Sequence, residues 1–268
     1  MTQAQKLDRQ MLSDIETFAR GLARAGGRIA LPFYGHANPQ VKYDESLVTE
    51  ADLTVQEHLR SEVARAYPEH CFLGEESPQR GEGESDFLWV VDPVDGTSAF
   101  SKGYPIWGVS IAVLFQGKPV VGVFHMPVTG EMYSAIAGGR VLCDDDRISV
   151  RFDEVLDNES LMLTYSRFHN DFSTTFPGKV RSLGSTVAHI CYVARGAAWG
   201  AVLSNVHVWD VAAGQVILEA AGGQLLDLDG KPFVAADYLE ETRVDRVLLA
   251  AAEGQHAAVR EYLQSRRG

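Results

Sequence analysis

Asp92 and Asp95 stand three residues apart in the run Trp89-Val90-Val91-Asp92-Pro93-Val94-Asp95-Gly96-Thr97-Ser98-Ala99-Phe100. Two carboxylates at that spacing around a proline-containing bend can converge on one point, and hard cations such as Mg2+ are held by such oxygens together with backbone carbonyls and water. The carbonyl of Val94 lies between them. Gly96, Thr97 and Ser98 come next, a small residue and two helix-capping types that can open a helix whose free N–H groups point at an anion. Cation ligands on one side and amides on the other describe a phosphate site. The competing reading is a turn in which both aspartates only cap nearby backbone.

Other elements have to position that block. Residues 88–91 form an apolar, β-branched run expected as a buried strand, which Pro93 and Gly96 end, so that both aspartates leave the strand together. Residues 71–73 are a second strand candidate, and a neighbouring strand there would bring Glu75 to the same cation. Leu7, Met11, Ile15, Phe18, Ala19, Leu22 and Ala25 recur at helical spacing and predict a helix over 6–34, interrupted or ended by Gly26, Gly27 and Pro32. After a polar, turn-like segment over 42–46, Thr49-Glu50-Ala51-Asp52 opens a second helix, where an acid in the first turn needs no role beyond the helix dipole. Residues 107–115, 120–124 and 131–134 read as an antiparallel meander, followed by a surface loop around Asp144 to Asp146.

In the second half, strands are expected at 160–165, 179–182 and 199–203, with a polar segment over 167–175. Gly184-Ser185-Thr186 precedes a helix over 187–195 and reads by itself as ordinary capping. Val208-Trp209-Asp210 begins a helix in which Val211, Ala212, Val216, Ile217 and Ala220 share a face and Gly222-Gly223 sit at the C-cap. Asp210 is there either a dipole partner or a further acidic ligand. Strands at 224–228 and 246–251, a turn at Asp229-Gly230 and a last helix over 255–266 complete the chain.

A net charge of −12 argues against a nucleic-acid surface, which needs clustered Lys and Arg, and suits a protein that binds cations. Cys71, Cys143 and Cys191 are widely spaced with no C-x-x-C pair, which suggests neither a disulfide framework nor a structural zinc site. No apolar run approaches the ~18 residues of a membrane helix, and the N-terminus lacks a cleavable apolar core. The expectation is a cytoplasmic protein that meets neither nucleic acid nor membrane.

In their order along the chain, Gly74-Glu75-Glu76-Ser77, the block from Trp89 to Phe100 and Val208-Trp209-Asp210 resemble the signature segments of the inositol monophosphatase family of lithium-sensitive, magnesium-dependent phosphatases. Leu47 to Asp52 and Leu183 to Thr186 are similar to two weaker ones. The resemblance implies an α/β (α+β) fold of α-β-α-β-α layers across a single domain, 1–268, with an N-terminal α+β lobe to about 150 and a C-terminal α/β lobe after it. It implies that Glu75, Asp92, the Val94 carbonyl, Asp95 and Asp210 ligate two or three Mg2+, and that Gly96, Thr97 and Ser98 hold phosphate. Thr97 and Asp52, with Glu75, would orient the attacking water, and Gly184, Ser185 and Thr186 would lie along the leaving alcohol. Family members are frequently homodimers.

The expected reaction is direct attack of water on a small phosphate monoester, without a covalent enzyme intermediate. The D-x-D-G-T motif of haloacid-dehalogenase phosphatases differs by one residue from the D-x-x-D-G-T spacing here. A glycosidase built on paired carboxylates would not need the Gly96-Thr97-Ser98 segment. Inositol-1-phosphate is the first substrate expectation, by family frequency; histidinol phosphate, fructose-1,6-bisphosphate and 3′-phosphoadenosine 5′-phosphate are the alternatives, and a non-catalytic phosphate binder is the reading from a different class. Animal inositol monophosphatases carry an acid seven residues before the W-D aspartate; counting back from Asp210 reaches Leu203. The segment Lys102 to Gly108 is similar to bacterial histidinol-phosphatase relatives, and Arg167 and His169 are candidates for the alcohol pocket.

Overall fold

The computed structural model describes residues 8–42, 47–77, 85–150 and 156–266. Leu7 and residues 43–46 of the segment expected to be turn-like lie outside them. The first half runs α1 (Arg9–Ala30), β1 (Gln40–Val41), β2 (Leu47–Val48), α2 (Glu50–Ala66), β3 (Cys71–Gly74), β4 (Phe87–Asp95), α3 (Thr97–Ser101), β5 (Gly108–Phe115), β6 (Lys118–His125), β7 (Met132–Ile136), β8 (Val141–Cys143) and β9 (Asp146–Arg147). β3 to β9 form one seven-stranded sheet in sequence order, antiparallel except for the parallel pair β3 and β4.

The second half runs β10 (Leu161–Thr164), α4 (Phe168–Asp171), β11 (Phe172–Thr174), β12 (Lys179–Arg181), α5 (Thr186–Ala194), β13 (Gly200–Leu203), β14 (Val206–His207), α6 (Val208–Ala220), β15 (Gly223–Asp227), β16 (Arg243–Val244), β17 (Leu248–Ala252), α7 (His256–Glu261) and β18 (Leu263–Ser265). Its main sheet has the order β12-β10-β13-β17-β15.

Strand alternation sorts the side chains into layers. Phe87, Trp89 and Val91 of β4 face α1 and α2, whereas Leu88 and Val90 face α5 and α6 on the other side. The five-stranded sheet turns Leu163, Ala201, Leu203 and Ala250 to that same helical layer, and Met162, Val202 and Leu249 outward against Phe168, Phe172, Trp199 and Val259. The layers are therefore helix, sheet, helix, sheet, helix, as the resemblance implied.

Several local expectations change. β4 does not end at Pro93: it continues to Asp95 through a bulge, in which Pro93 and Val94 stand opposite Val109 alone. A bulge accommodates proline because the residue there need not donate to the ladder. α1 runs through Gly26 and Gly27, and it passes the end of β6 so closely that a Cβ at Gly27 would lie 3.0 Å from His125 Cδ2 and 2.6 Å from Pro127 Cγ in the turn beyond. α6 is apolar on more than one face, being covered by sheet on both sides. Of the acidic loop, Asp144 and Asp145 form the turn between β8 and β9 and Asp146 begins β9, and the polar segment over 167–175 holds α4 and β11. The last helix spans only His256–Glu261, and the chain then returns as β18 to pair with β11.

Candidate active site

The bulge sets Asp92 and Asp95 on one side of the end of β4, and Asp92 Oδ1 accepts the Val94 amide at 2.9 Å. α6 begins across from them, and its Asp210 Oδ2 accepts the His207 amide at 2.7 Å in a capping box. One carboxylate oxygen from each of Asp92, Asp95 and Asp210 lies within 4.8 Å of the others. The parallel pairing of β3 with β4 brings Glu75 alongside, its amide on the Val91 carbonyl at 3.1 Å. Glu75 lies outside the convergent group of three and forms an ion pair with Lys42 at 2.6 Å.

Gly96 adopts φ 92° at the N-cap of α3, a left-handed conformation that suits glycine. A Cβ there would also lie 2.9 Å from the Gly184 carbonyl, so this glycine lets the start of α3 close on the loop before α5. The first amides of α3, at Thr97 and Ser98, have no carbonyl within the helix to bond. Thr97 Oγ1 lies 3.3 Å from Asp52 Oδ1 and 3.1 Å from the Val94 carbonyl. Asp52 is wholly buried, its Oδ2 holding the Thr49 amide at 2.7 Å and the Thr49 hydroxyl at 2.6 Å.

Ser185, Thr186 and Val187 meet an acid. Asp95 Oδ2 accepts from the Ser185 hydroxyl and the Val187 amide, and Oδ1 from the Thr186 amide at 3.1 Å. Ser185 is fully buried, with its hydroxyl on Asp95. Gly184 is exposed and Thr186 half-buried. Arg167 and His169 are both exposed.

Burial raises every acid of the group. Asp92 is pushed well above the carboxylate range by burial and then by the charges of Glu75, Asp95 and Asp210; burial, Glu75 and Asp95 do the same to Asp210. Asp95 rises to about 6 through burial, held down from a larger shift by Ser185 and the α5 amides. Burial also raises Asp52 and Glu75. A cation relieves this crowding of negative charge, and an all-oxygen donor set fits a hard divalent ion rather than a thiolate-seeking one.

Sequence reasoning did not reach Lys42, Glu76 or the Ser185 contact. Lys42 sits just past β1 and closes on Glu75 and Glu76. A lone lysine in a polar turn carries no pattern that announces such a pairing.

Residues 11–265 match the inositol monophosphatase family. Inositol-1-monophosphatase ImpA of Mycolicibacterium smegmatis is 32% identical in an alignment covering 99% of this chain and 97% of that protein. A histidinol-phosphatase of Chlorobaculum parvum is 31% identical, covering 82% and 88%. Among solved structures, the IMPase of Thermotoga maritima superposes with a TM-score of 0.80 at 26% identity, over 92% of this chain and 96% of that one. Fold and acidic centre together define a phosphatase, a hydrolase of phosphate monoesters. The chain belongs to the inositol monophosphatase family. Among the described residues no helix is long and apolar enough to cross a membrane.

Proposed function

We propose that the protein hydrolyses a small phosphate monoester with Mg2+ as cofactor, with inositol-1-phosphate as its substrate. The observation that carries the reading is the convergence of Asp92, Asp95 and Asp210 within 4.8 Å. Those three, with Glu75 and the Val94 carbonyl, would hold two or three Mg2+. When bound, the ions neutralise phosphate oxygens and lower the pKa of a water near neutral pH.

The chain's own groups then do the rest. Backbone N–H groups of Gly96, Thr97 and Ser98 receive the phosphate. The Thr97 hydroxyl, donating to Asp52 Oδ1, presents its lone pairs to the attacking water and accepts a hydrogen bond from it, which aims the water at phosphorus. Asp52 is fixed for that task by its two Thr49 contacts. Glu75 helps orient the same water. The leaving alcohol departs past Gly184 and Thr186, while Ser185 holds Asp95 in place.

Histidinol phosphate is the second substrate reading. Leu203 stands where animal relatives carry the inositol-contacting acid, and a histidinol-phosphatase is among the relatives. The test is phosphate release from inositol-1-phosphate, histidinol phosphate, fructose-1,6-bisphosphate and 3′-phosphoadenosine 5′-phosphate, with Mg2+ and then with EDTA. Fastest turnover of inositol-1-phosphate, only with metal, is the expected result. A different winner reassigns the substrate, and binding without release from any of them means a phosphate-ligand binder. Asp95→Asn is expected to lose activity even at saturating Mg2+. The homodimer implied by the family is checked by light scattering.

A further inference from the structure

Lys42 Nζ lies 2.6 Å from Glu75 Oε1 and 2.9 and 3.1 Å from the two carboxylate oxygens of Glu76. The acceptors are sheltered, with Glu76 at 4% side-chain exposure and Glu75 at 13%. Glu76 is fixed from behind, where its amide bonds Gln56 Oε1 at 2.8 Å and a Cβ at Gly74 would meet that same oxygen at 2.3 Å. The Glu75 that holds the ammonium bonds through its amide to the carbonyl of Val91, the neighbour of Asp92, at 3.1 Å. An ammonium is thus chelated on an acid at the edge of the acidic centre.

A lysine ammonium is a compact point charge on a flexible stem. A divalent cation on Glu75 Oε1 would share that oxygen with the ammonium, and two positive centres on one oxygen repel each other strongly in a half-buried site. We propose that Lys42 is a built-in competitor for the divalent cation at Glu75: the ammonium holds Glu75 Oε1 until a cation displaces it, so that residue 42 sets how much Mg2+ the centre needs. Gln40 and Val41, just before Lys42, are exposed. This inference rests on the reading of Glu75 as a cation ligand.

The test is Mn2+ binding to metal-stripped protein by calorimetry, with thermal denaturation as the check on folding. Lys42→Met is expected to tighten one class of Mn2+ site by about tenfold, which is ~1.4 kcal/mol, and Lys42→Arg to leave it near wild type. Glu76→Gln, which loosens the hold on the ammonium without touching Glu75, moves affinity in the same direction by less. Lys102→Met removes an equal charge from the exposed Lys102, whose Nζ is 3.0 Å from Ser98 Oγ, and controls for net charge alone. Equal or weaker Mn2+ binding in Lys42→Met, or an equal gain in Lys102→Met, overturns the inference. Absence of Mn2+ binding to the wild type overturns the cation-site reading itself, so the two failures are distinguishable.

Discussion

Asp92 and Asp210 each bind their own fold through one oxygen and offer the other. Asp92 holds the Val94 amide, Asp210 the His207 amide and Asp52 the Thr49 amide and hydroxyl, in every case through a single oxygen. Capping and ligation, which the sequence presents as competing readings, are two faces of one carboxylate. Asp95 has three donors at the start of α5, two of them on Oδ2. Ser185→Ala removes one of those two. A hydrogen bond to a charged group contributes about 1.5–3 kcal/mol, so cation affinity is expected to fall by roughly 10- to 100-fold, measured by Mn2+ titration. The Ser185 bond favours ionised Asp95, whose pKa is about 6 with that bond in place. Its loss raises the pKa, and the acid limb of the pH–rate profile moves to higher pH; Ser185→Thr restores it.

At the scale of elements, the centre depends on how closely helices approach the large sheet. Gly122 in β6 faces α6, and a Cβ there would stand 2.4 Å from the Ala213 carbonyl and 3.0 Å from Val216 Cβ. Neither atom is the end of a flexible side chain, so α6 has to shift. Gly122→Ala is expected to cost about 1–3 kcal/mol, the range of overpacked cores, and to weaken cation binding, because Asp210 rides on the first turn of the displaced helix. Gly21→Ala makes the contrast. Nothing lies within 4 Å of a Cβ in that α1 position, and alanine there should stabilise by about 0.5–1 kcal/mol through helix propensity. Thermal and urea denaturation of the pair separates steric contact from backbone preference.

For the whole molecule, the acidic centre links folding to pH and to metal. Asp95 titrates near 6 when folded and near 4 when unfolded, so the native state binds more protons in that window. Stability from this group is therefore present at low pH and lost as pH rises through about 4 to 6, and the raised Asp92, Asp210 and Glu75 extend the loss upward. Buried His189, depressed to about 4, acts the opposite way and loses stability as pH falls below about 6.5. Comparing the same protein with EDTA and with Mg2+ cancels the histidine. The gain in Tm given by Mg2+ is expected to grow from pH 5 to pH 7.5, since the ion binds the carboxylates only once they ionise; a gain independent of pH would count against a carboxylate-held cation.

Local order was legible in the sequence because turn chemistry, capping and periodicity are properties of neighbouring residues. The D-P-V-D-G-T-S block, the capping box at Thr49 and Asp52, the meander and the start of α6 at Asp210 all follow from runs of a few side chains. The family resemblance rests on the same short runs. What no local pattern contains is approach in space. The bulge that carries β4 through Pro93, the continuation of α1 through Gly27, the return of the chain end as β18, the turn of Ser185 onto Asp95 and the seating of Lys42 on Glu75 each join residues remote in sequence or depend on a partner strand. The sequence by itself determined which acids were available and in what order they came. Only the packing of α5 and α6 between two sheets decided that they meet, because the contact distances that bring Asp210 to Asp92 are set by glycines and alanines whose partners lie on other elements.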